Sequence, residues 1–405
     1  MTKAKILRNT QPIQAEIDLP ASKSIANRAL IVNALSTAPG EIHNLSEARD
    51  TQTMQRLLSS KESVLDVLDA GTTMRFLTAY LSVTRQEKML TGTPRMCERP
   101  IGVLVDALVK LGASIEYTEK PGFPPLETKG FNQKTESLSI RGDISSQYIS
   151  ALLMIAPLLN KGLTLHLKGN ISSKPYISMT LKVMEYYGIN AVWQQNTIHV
   201  PHGKYRAQSY RVEPDWSAAS YWYSLVGLSE NSEVLLKDLN AESIQGDRVI
   251  ADIMTQLGVK TEFTKEGALL RSSSHSSTVH IDFADCPDLA QTVAVVCAVK
   301  GVKGKFTGLE SLKIKETDRV KALQNELSKL GAELDEFNDY WELTPGSINS
   351  GHYSFKSYDD HRMAMAFAPV AVKSTIEIET PEVVNKSYPR YWRDYEKAGF
   401  SYLEI

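Results

Sequence analysis

A repeating unit of helix and strand is first visible in residues 99–117, which read RPIGVLVDALVKLGASIEY. The apolar residues at the helical spacing i, i+3, i+4 and i+7 are Ile101, Leu104, Val105 and Leu108. This spacing predicts an amphipathic helix with one buried face. Pro100 suits the first turn of that helix, and Gly112 suits its left-handed C-terminal cap. The residues after Gly112 alternate in polarity and predict a strand.

The same order of helix, glycine and strand recurs along the chain. Its glycines are Gly112, Gly188, Gly258, Gly331 and Gly399. They lie about 70 residues apart, which indicates an internal structural repeat. A second helix series alternates with the first, is more apolar all round, and begins with small or acidic residues. These helices start near Ser22, Gly71, Ser145, Asp215, Asp288 and Asp360.

The first copy of the repeat is shorter than the others. The interval between the helix starts at Ser22 and Gly71 is the only short one in its series. The helix of residues 50–59 also lacks the glycine and the strand that follow its counterparts. Both deficits predict one deletion near residues 60–68, with the loss of a strand.

The six copies predict an α/β architecture. A helix that is apolar all round must be covered all round, so we expect the second series inside a ring of sheets. The amphipathic helices then lie at the surface. Six units divide most simply into two domains of three, an N-terminal domain of residues 20–212 and a C-terminal domain of residues 1–19 and 213–405. An ordinary doubly wound α/β protein is the alternative.

The bulk properties are those of a soluble globular protein of 405 residues. A net charge of −2 disfavours nucleic acid or an anionic membrane as the main partner. We see no secretory signal, and the longest apolar run, near Val293–Val299, is too short to span a bilayer. Cys97, Cys286 and Cys297 show neither a disulfide framework nor zinc spacing. We therefore expect a cytoplasmic protein without a bound metal.

Cations and small hydroxyl residues gather at the predicted helix starts, where backbone N–H groups and the helix dipole favour anions. The segments are residues 22–28, 69–75, 94–100, 145–147, 172–176, 313–319 and 359–362, with Lys386 after the last. Ser, Thr and Asp at a helix start are usually only caps, as Thr317 is predicted to be for a helix that begins at Asp318, so one such segment is weak evidence. Their recurrence at matching points of the repeat predicts one site for a small substrate rich in phosphate and carboxylate.

Together these segments resemble the 5-enolpyruvylshikimate-3-phosphate synthases of the enolpyruvyl transferase family. The most specific motifs are SKS at 22–24 with NRAL at 27–30, AGTTMR at 70–75, KETDR at 315–319 and DHRMAM at 360–365. The resemblance covers nearly the whole chain. It implies two inside-out α/β domains, each of three βαβαββ units with buried helices and surrounding sheets, the first unit being shortened near residues 60–68.

The resemblance also implies a reaction. The enolpyruvyl (carboxyvinyl) group of phosphoenolpyruvate passes to the 5-hydroxyl of shikimate 3-phosphate by addition and elimination. The products are 5-enolpyruvylshikimate 3-phosphate and inorganic phosphate, a step of the shikimate pathway towards chorismate and the aromatic amino acids. The implied enzyme is a cytoplasmic monomer that uses no metal or organic cofactor and has only its small-molecule substrates as partners.

Site residues follow from the same resemblance. Those implied for shikimate 3-phosphate are Lys23, Ser24, Arg28, Ser145, Ser146, Gln147, Ser173, Tyr176, Asp288, Ser311 and Lys315. Those implied for phosphoenolpyruvate are Lys23, Gly71, Arg99, Gln147, Arg319, Arg362 and Lys386. The implied catalytic residues are Asp288, as the base on the hydroxyl side, Glu316, as the proton donor to the enol carbon, and Lys23.

The chain departs from the family pattern at a few positions besides the shortened first unit. Asp69 stands where many members have Asn, which adds a negative charge near the phosphoenolpyruvate pocket. Ser311 stands where some members have an Asn that touches the ring of the substrate, and Phe76 replaces a Pro. We expect Gly71→Ala to crowd the pocket and weaken binding of glyphosate, the inhibitor that competes with phosphoenolpyruvate in this family.

Two other functions fit part of the pattern. An enolpyruvyl transferase acting on UDP-N-acetylglucosamine shares fold and donor, but it needs a uridine site and usually a loop cysteine. The serine pairs and the run at 315–319 favour the shikimate enzyme over it. A non-catalytic sensor of phosphorylated metabolites is disfavoured by Asp288 and Glu316, because two carboxylates oppose the binding of dianions.

Overall fold

The computed structural model describes residues 2–405, and the chain forms two compact units. The continuous unit is Lys23–Val212. The discontinuous unit combines the residues up to Ser22 with Glu213–Ile405. Residues 20–22, which were expected in the N-terminal domain, belong to the discontinuous unit. There the Ser22 N–H donates to the Glu213 carbonyl at 2.8 Å.

Helices occur throughout both units. In chain order they are α1 (Lys23–Ala34), α2 (Arg49–Leu58), α3 (Gly71–Val83), α4 (Pro94–Cys97), α5 (Gly102–Leu111), α6 (Ser146–Ile155), α7 (Lys174–Tyr186), α8 (Trp216–Leu228), α9 (Ile250–Gln256), α10 (Ala290–Lys300), α11 (Arg319–Ser328), α12 (His361–Phe367) and α13 (Tyr391–Lys397). Short 3₁₀ turns lie at Ala156–Leu158, Gly246–Val249, Pro287–Leu289, Glu310–Ile314, Ala368–Val372 and Pro381–Lys386. Among residues 2–405, none of these helices has the length and hydropathy needed to cross a membrane.

Strands connect the helices. In chain order they are β1 (Lys3–Ile6), β2 (Gln14–Ile17), β3 (Ile42–His43), β4 (Val64–Asp66), β5 (Lys88–Thr91), β6 (Ala113–Tyr117), β7 (Leu126–Phe131), β8 (Ser137–Arg141), β9 (Leu163–Lys168), β10 (Val192–Gln194), β11 (Thr197–Val200), β12 (Tyr210–Arg211), β13 (Glu233–Lys237), β14 (Val259–Phe263), β15 (Gly267–Ser272), β16 (Thr278–Asp282), β17 (Lys303–Thr307), β18 (Glu333–Glu336), β19 (Trp341–Thr344), β20 (His352–Phe355), β21 (Thr375–Glu379) and β22 (Tyr402–Glu404).

The helices form the two alternating series that the repeat predicted. The inner series is α1, α3, α6, α8, α10 and α12, and the outer series is α2, α5, α7, α9, α11 and α13. In α8 every residue except Ser217 is buried, as a helix that is apolar all round requires. In α5 the predicted face, including Leu104 and Leu108, is buried, while Val109 is exposed. The predicted α/β class is confirmed.

The glycines of the repeat end the outer helices with a positive φ. These residues are Gly112, Gly188, Gly258, Gly331 and Gly399. At Gly112 the φ of 122° is one that side-chain-bearing residues rarely adopt, and an added Cβ would lie 1.8 Å from the Asn132 carbonyl oxygen. The periodic glycines are therefore explained by backbone geometry.

Five of the sheets repeat one strand order. Each has a parallel pair followed by two antiparallel strands. In four of these sheets the later of the two strands in chain order lies next to the pair, and in the fifth β1 takes that place, with β22 at the far edge. In the continuous unit the orders are β4-β5-β7-β6 and β8-β9-β11-β10; in the discontinuous unit they are β2-β13-β15-β14, β16-β17-β19-β18 and β20-β21-β1-β22. The N-terminal strands β1 and β2 thus complete sheets whose other strands lie beyond residue 232.

The sixth sheet shows the shortened first unit. It contains only the parallel pair β12 and β3, with Tyr210 opposite Ile42. The sequence predicted the loss of one strand near residues 60–68, but the two antiparallel strands that complete each of the other sheets, a hairpin in four of the five, are missing from this sheet in the described chain. The loss is therefore two strands.

Two local predictions at helix starts are corrected by the structure. The cap of α11 is Asp318 and not Thr317, because the Asp318 carboxylate accepts from the Lys321 N–H at 3.0 Å. Pro100 lies before α5 and not in its first turn, since the helix begins at Gly102. Both errors are of one or two residues, the usual uncertainty of a helix end read from sequence.

Candidate active site

In both units the predicted site residues follow the carboxyl ends of strands in parallel pairs. In the continuous unit, the residues after β4 and β5 lead to Gly71 and Arg99, and those after β8 and β9 lead to Ser145 and Ser173. Neighbouring parallel strands end at the same sheet edge, so the repeat brings these helix starts together.

A pair of serine segments meets at the ends of β8 and β9. The Ser172 N–H donates to the Gly142 carbonyl at 3.2 Å, which joins the two loops. Ser145 caps α6 by accepting from the Gln147 N–H at 3.3 Å, and Ser146 is the first residue of that helix. Ser173 is nearly buried and precedes α7 with a left-handed φ of 54°. Three hydroxyls at two adjoining helix starts suit a phosphate group.

Arg28 is fully buried in α1 next to these serines. Its Nε donates to Thr180 Oγ1 at 2.7 Å, and Nη2 donates to Ser150 Oγ at 3.3 Å and to the Tyr176 carbonyl at 3.2 Å. The guanidinium carbon lies 5.5 Å from the centre of the Phe76 ring. Burial lowers the pKa of Arg28 to about 10, so the side chain stays charged at neutral pH.

The start of α3 forms a second candidate site for an anion. A Cβ added at Gly71 would lie 2.7 Å from Nη1 of Arg99, so the guanidinium packs directly on the glycine. The Gln147 amide donates to Thr72 Oγ1 at 3.0 Å and links the start of α6 to that of α3. Arg75 donates to the Pro100 carbonyl at 2.9 Å and thereby holds the loop that carries Arg99.

Lys23 and Ser24 open α1, and the start of α2 lies beside them. The Lys23 ammonium is 3.2 Å from the Asp50 carboxylate, and both side chains are mostly buried. The neighbouring residue Arg49 pairs with Asp69, with N–O distances of 3.0 and 2.8 Å. Asp50 and Arg49 were absent from the predicted site. Asp50 begins the predicted helix 50–59, but nothing in its sequence position indicates its ionic partner.

The discontinuous unit contains a buried charge cluster centred on Arg319. Its Nε donates to Asp360 at 2.7 Å, Nη1 to Asp288 at 3.1 Å and Nη2 to Glu316 at 2.9 Å. The Asp360 side chain is fully buried, whereas those of Asp288 and Glu316 are 18% and 17% exposed. Burial opposes the charge of Arg319, but Asp360, Glu316 and Asp288 outweigh that effect and raise its pKa above the ordinary value.

Arg362 extends this cluster. Its Nη2 lies 2.9 Å from the Asp288 carboxylate, and Nη1 donates to the Asp288 carbonyl at 3.2 Å and to the Tyr221 hydroxyl at 3.4 Å. Asp288 therefore lies between two arginines. Burial raises the pKa of Tyr221 to about 12, so this phenol stays neutral and can accept a hydrogen bond from Arg362.

Asp247 is a further buried carboxyl group in the same unit. Its carboxylate accepts a hydrogen bond from the Ser217 hydroxyl. Burial and the negative charge of Asp288 raise the pKa of Asp247 to about 7. Asp247 was not among the predicted site residues, and its position in the sequence gives no sign of its proximity to Asp288.

The remaining predicted residues follow strands of two different sheets. Ser311 belongs to the 3₁₀ turn after β17, and Lys315 follows that turn and precedes Glu316. Lys386 is almost fully buried at the end of the turn Pro381–Lys386, which follows β21. Within residues 2–405, no group of three or more His, Cys, Asp or Glu side chains has an arrangement suited to a metal ion.

Comparisons with known proteins identify the family. The model of the family described as EPSP synthase (3-phosphoshikimate 1-carboxyvinyltransferase) matches residues 7–60 and 54–395. A 3-phosphoshikimate 1-carboxyvinyltransferase of Bacteroides fragilis strain YCH46 is 48% identical over 400 residues, which cover 98% of each chain. One from Vibrio cholerae strain M66-2 is 34% identical over 423 residues, covering 97% of this chain and 99% of the relative.

The fold also matches solved structures. An EPSP synthase structure from Acinetobacter baumannii superposes with a TM-score of 0.80 over the whole of both chains, at 18% identity. At that identity the likeness concerns the fold alone, whereas the family match and the sequence relatives cover nearly the full length. The chain belongs to the EPSP synthase (3-phosphoshikimate 1-carboxyvinyltransferase) family.

Proposed function

We propose that this protein transfers the enolpyruvyl group of phosphoenolpyruvate to the 5-hydroxyl of shikimate 3-phosphate and releases inorganic phosphate. The names of its relatives support this activity over the full length of the chain. The observation that carries the chemistry is the cluster around Arg319, where two partly exposed carboxylates are held by buried arginines. Such a cluster joins proton-transfer groups to cations that bind anions.

The reaction sets the requirements of the site. The 5-hydroxyl oxygen forms a bond to C2 of phosphoenolpyruvate and loses its proton, while C3 gains a proton and becomes a methyl group. The tetrahedral intermediate then loses a methyl proton, and its C2–O bond to phosphate breaks. The site therefore needs a base for the hydroxyl, a proton donor for C3, and cations for the carboxylate and phosphate groups.

We assign shikimate 3-phosphate recognition on the continuous unit to the two serine segments and their neighbours. Ser145, Ser146 and Ser173 hold the phosphate with the N–H groups at their helix starts. The residues assigned to the rest of this substrate are Lys23, Ser24, Arg28, Gln147 and Tyr176 on this unit and Asp288, Ser311 and Lys315 on the other. Arg28 supports the assignment because its buried guanidinium donates hydrogen bonds to residues of both α6 and α7 and so holds the two helices together.

We assign phosphoenolpyruvate recognition to Lys23, Gly71, Arg99 and Gln147 on the continuous unit. The close packing of Arg99 on Gly71 supports this, because a bare backbone lets the ligand approach both the helix start and the guanidinium. On the discontinuous unit we assign Arg319, Arg362 and Lys386 to the same substrate. Their burial supports strong electrostatic interaction with an anion.

We assign proton transfer to Asp288 and Glu316, with Lys23 as a further catalytic cation. The partial exposure of both carboxylates supports their contact with substrate, whereas the buried Asp360 serves to hold Arg319. Asp288 acts on the 5-hydroxyl, and Glu316 donates to C3. No metal or organic cofactor enters these steps. We further propose that the protein is cytoplasmic and acts as a monomer. Light scattering can test the monomeric state.

One assay separates the candidate functions. The protein is mixed with phosphoenolpyruvate and either shikimate 3-phosphate or UDP-N-acetylglucosamine, and release of inorganic phosphate is measured. Control reactions contain either one acceptor without phosphoenolpyruvate or phosphoenolpyruvate without an acceptor. A chelator is added in a further reaction to test for dependence on a metal. We expect release only with shikimate 3-phosphate and no effect of the chelator. Release only with the UDP-sugar, or with neither acceptor, contradicts the proposal.

A further inference from the structure

Asp69 places a negative charge at the start of α3, two residues before Gly71. The Asp69 side chain is 30% exposed, so it remains in contact with solvent. A carboxylate before a helix start is favourable for the helix itself, because it opposes the positive end of the helix dipole. For an anion bound at Gly71 and Arg99 the same carboxylate is repulsive.

Arg49, the first residue of α2, pairs with this carboxylate. Its Nη2 donates to both oxygens of Asp69, at 3.0 and 2.8 Å. The next residue, Asp50, lies 3.2 Å from the ammonium of Lys23. Two consecutive residues at the start of α2 therefore form ion pairs within the continuous unit. Asp50 pairs with Lys23, and Arg49 pairs with Asp69, the carboxylate that would repel an anion at Gly71.

We propose that Arg49 is a positioning residue that sets the affinity for phosphoenolpyruvate by neutralising and holding Asp69. This inference rests on the proposed function, since it takes the start of α3 and Arg99 as the phosphoenolpyruvate side of the site. Arg49 acts only through Asp69. The Arg49–Asp69 ion pair keeps the carboxylate that favours the start of α3. It also cancels the repulsion that this carboxylate would exert on the anionic substrate.

The expected effect follows from the short separation along the chain. Two residues of chain span at most about 7 Å, and we take this value as the separation between the Asp69 carboxylate, once Arg49 no longer pairs with it, and a ligand at Gly71. At this distance, with an effective dielectric constant of about 40, between the values for water and for a protein surface, the repulsion weakens binding about five- to ten-fold. Salt should reduce the effect because Asp69 is partly exposed.

The test is a double-mutant cycle on the full chain, read as KM for phosphoenolpyruvate and kcat. Wild-type phosphate release with shikimate 3-phosphate is measured first, so that failure of the proposed function is seen separately. We expect Arg49→Ala to raise KM for phosphoenolpyruvate about five- to ten-fold with kcat within about two-fold of wild type. Adding Asp69→Asn to this variant should restore KM, and Asp69→Asn alone should not raise it.

The matched control is Arg271→Ala. The Arg271 side chain is 44% exposed, against 45% for Arg49, and pairs with Glu233 and Glu262 in the discontinuous unit. It should leave KM unchanged and should match Arg49→Ala in thermal stability. Arg49→Gln, which keeps most of the side-chain volume, replaces Arg49→Ala if that variant folds poorly. The KM defect of the Arg49 variant should shrink as salt concentration rises.

Three results would overturn the inference in an active wild-type enzyme. The first is a KM for phosphoenolpyruvate that does not change in either Arg49 variant. The second is a raised KM that Asp69→Asn fails to restore, since Arg49 would then act independently of Asp69. The third is a raised KM in Asp69→Asn alone, because the carboxylate would then assist binding.

Discussion

The contact between Gly71 and Arg99 allows a quantitative prediction for Gly71→Ala. The added Cβ would lie 2.7 Å from Nη1 and 2.9 Å from Nη2 of Arg99. Gly71 does not have a positive φ, and alanine suits a helix interior better than glycine by about 1 kcal/mol, which is an upper limit for this first residue of α3. The substitution should therefore leave the helix intact or more stable and displace the guanidinium.

The size of the displacement follows from the contact distance. Ordinary van der Waals contacts of a Cβ begin at 3.4 Å, so Nη1 must move by about 3.4 − 2.7 = 0.7 Å to reach one. Misplacement of a binding group by about 1 Å can reduce activity about 100-fold. We therefore expect kcat/KM for phosphoenolpyruvate to fall about 10- to 100-fold, with weaker binding of glyphosate.

The assay measures phosphate release while phosphoenolpyruvate is varied at saturating shikimate 3-phosphate. Calorimetry with shikimate 3-phosphate alone should give an affinity within about two-fold of wild type, because the serine segments and Arg28 are untouched. Gly351→Ala is the matched control, since its added Cβ would meet no closer atom than the Asn349 oxygen at 3.9 Å. That variant should retain wild-type kinetics.

The reasoning fails if Gly71→Ala folds normally and keeps both its KM for phosphoenolpyruvate and its inhibition by glyphosate. It also fails if shikimate 3-phosphate affinity falls as much as kcat/KM, because the disturbance would then not be confined to Arg99. A fall in thermal stability larger than that of Gly351→Ala would contradict the expected helix propensity.

Three further substitutions test the discontinuous unit. Glu316→Gln keeps the shape of the side chain but removes its proton-transfer role, so kcat should fall about 100- to 10,000-fold while shikimate 3-phosphate still binds in calorimetry. Arg319→Met should cost about 3–5 kcal/mol in urea unfolding, because it leaves buried carboxylates without their partner. Asp247→Asn should flatten the pH profile of stability. Because the pKa of Asp247 is raised to about 7, the folded wild-type protein binds this proton more tightly than the unfolded chain does. The wild type therefore loses stability as pH rises from about 4 to about 7. Relative to wild type, this variant should therefore gain about 4 kcal/mol between pH 4 and pH 8, since the pKa differs by about three units and each unit corresponds to about 1.4 kcal/mol.

Each of these has a contradicting result. Substantial activity in Glu316→Gln would remove the assigned proton donor. An Arg319→Met protein as stable as wild type would mean that the cluster relaxes without its cation. A pH profile of Asp247→Asn that runs parallel to wild type between pH 4 and pH 7 would show that the Asp247 carboxyl does not change protonation in that range.

The architecture was readable from sequence because it repeats. Gly188 or Gly331 alone is only one candidate helix end, but five glycines at one period specify outer helices, and the structure gives each a positive φ. The size of the loss in the first unit could not be read in the same way. The sequence shows missing residues near 60–68, but only the pairing of Tyr210 with Ile42 shows that a whole hairpin is absent from that sheet.

The candidate site was less readable, for a physical reason. Lys23, Arg99 and Arg319 are visible as cations at helix starts, since local spacing reveals both the start and the charge. Ion pairs depend on the tertiary structure instead. In the sequence Asp69 is only an added negative charge. The structure shows that Arg49, twenty residues away, pairs with it. The proximity of Asp247 and Asp288 likewise depends on how the ends of separate strands meet.

The placement of β1 and β2 has a consequence for synthesis on the ribosome. Residues 23–212 are contiguous, so the continuous unit can begin to fold while later residues are still being added. β1 must wait for β21 and β22, its two neighbours in the sheet, until the residues from Thr375 onward have been made. β1 therefore emerges from the ribosome long before its partners, as an unpaired strand that must avoid aggregation meanwhile.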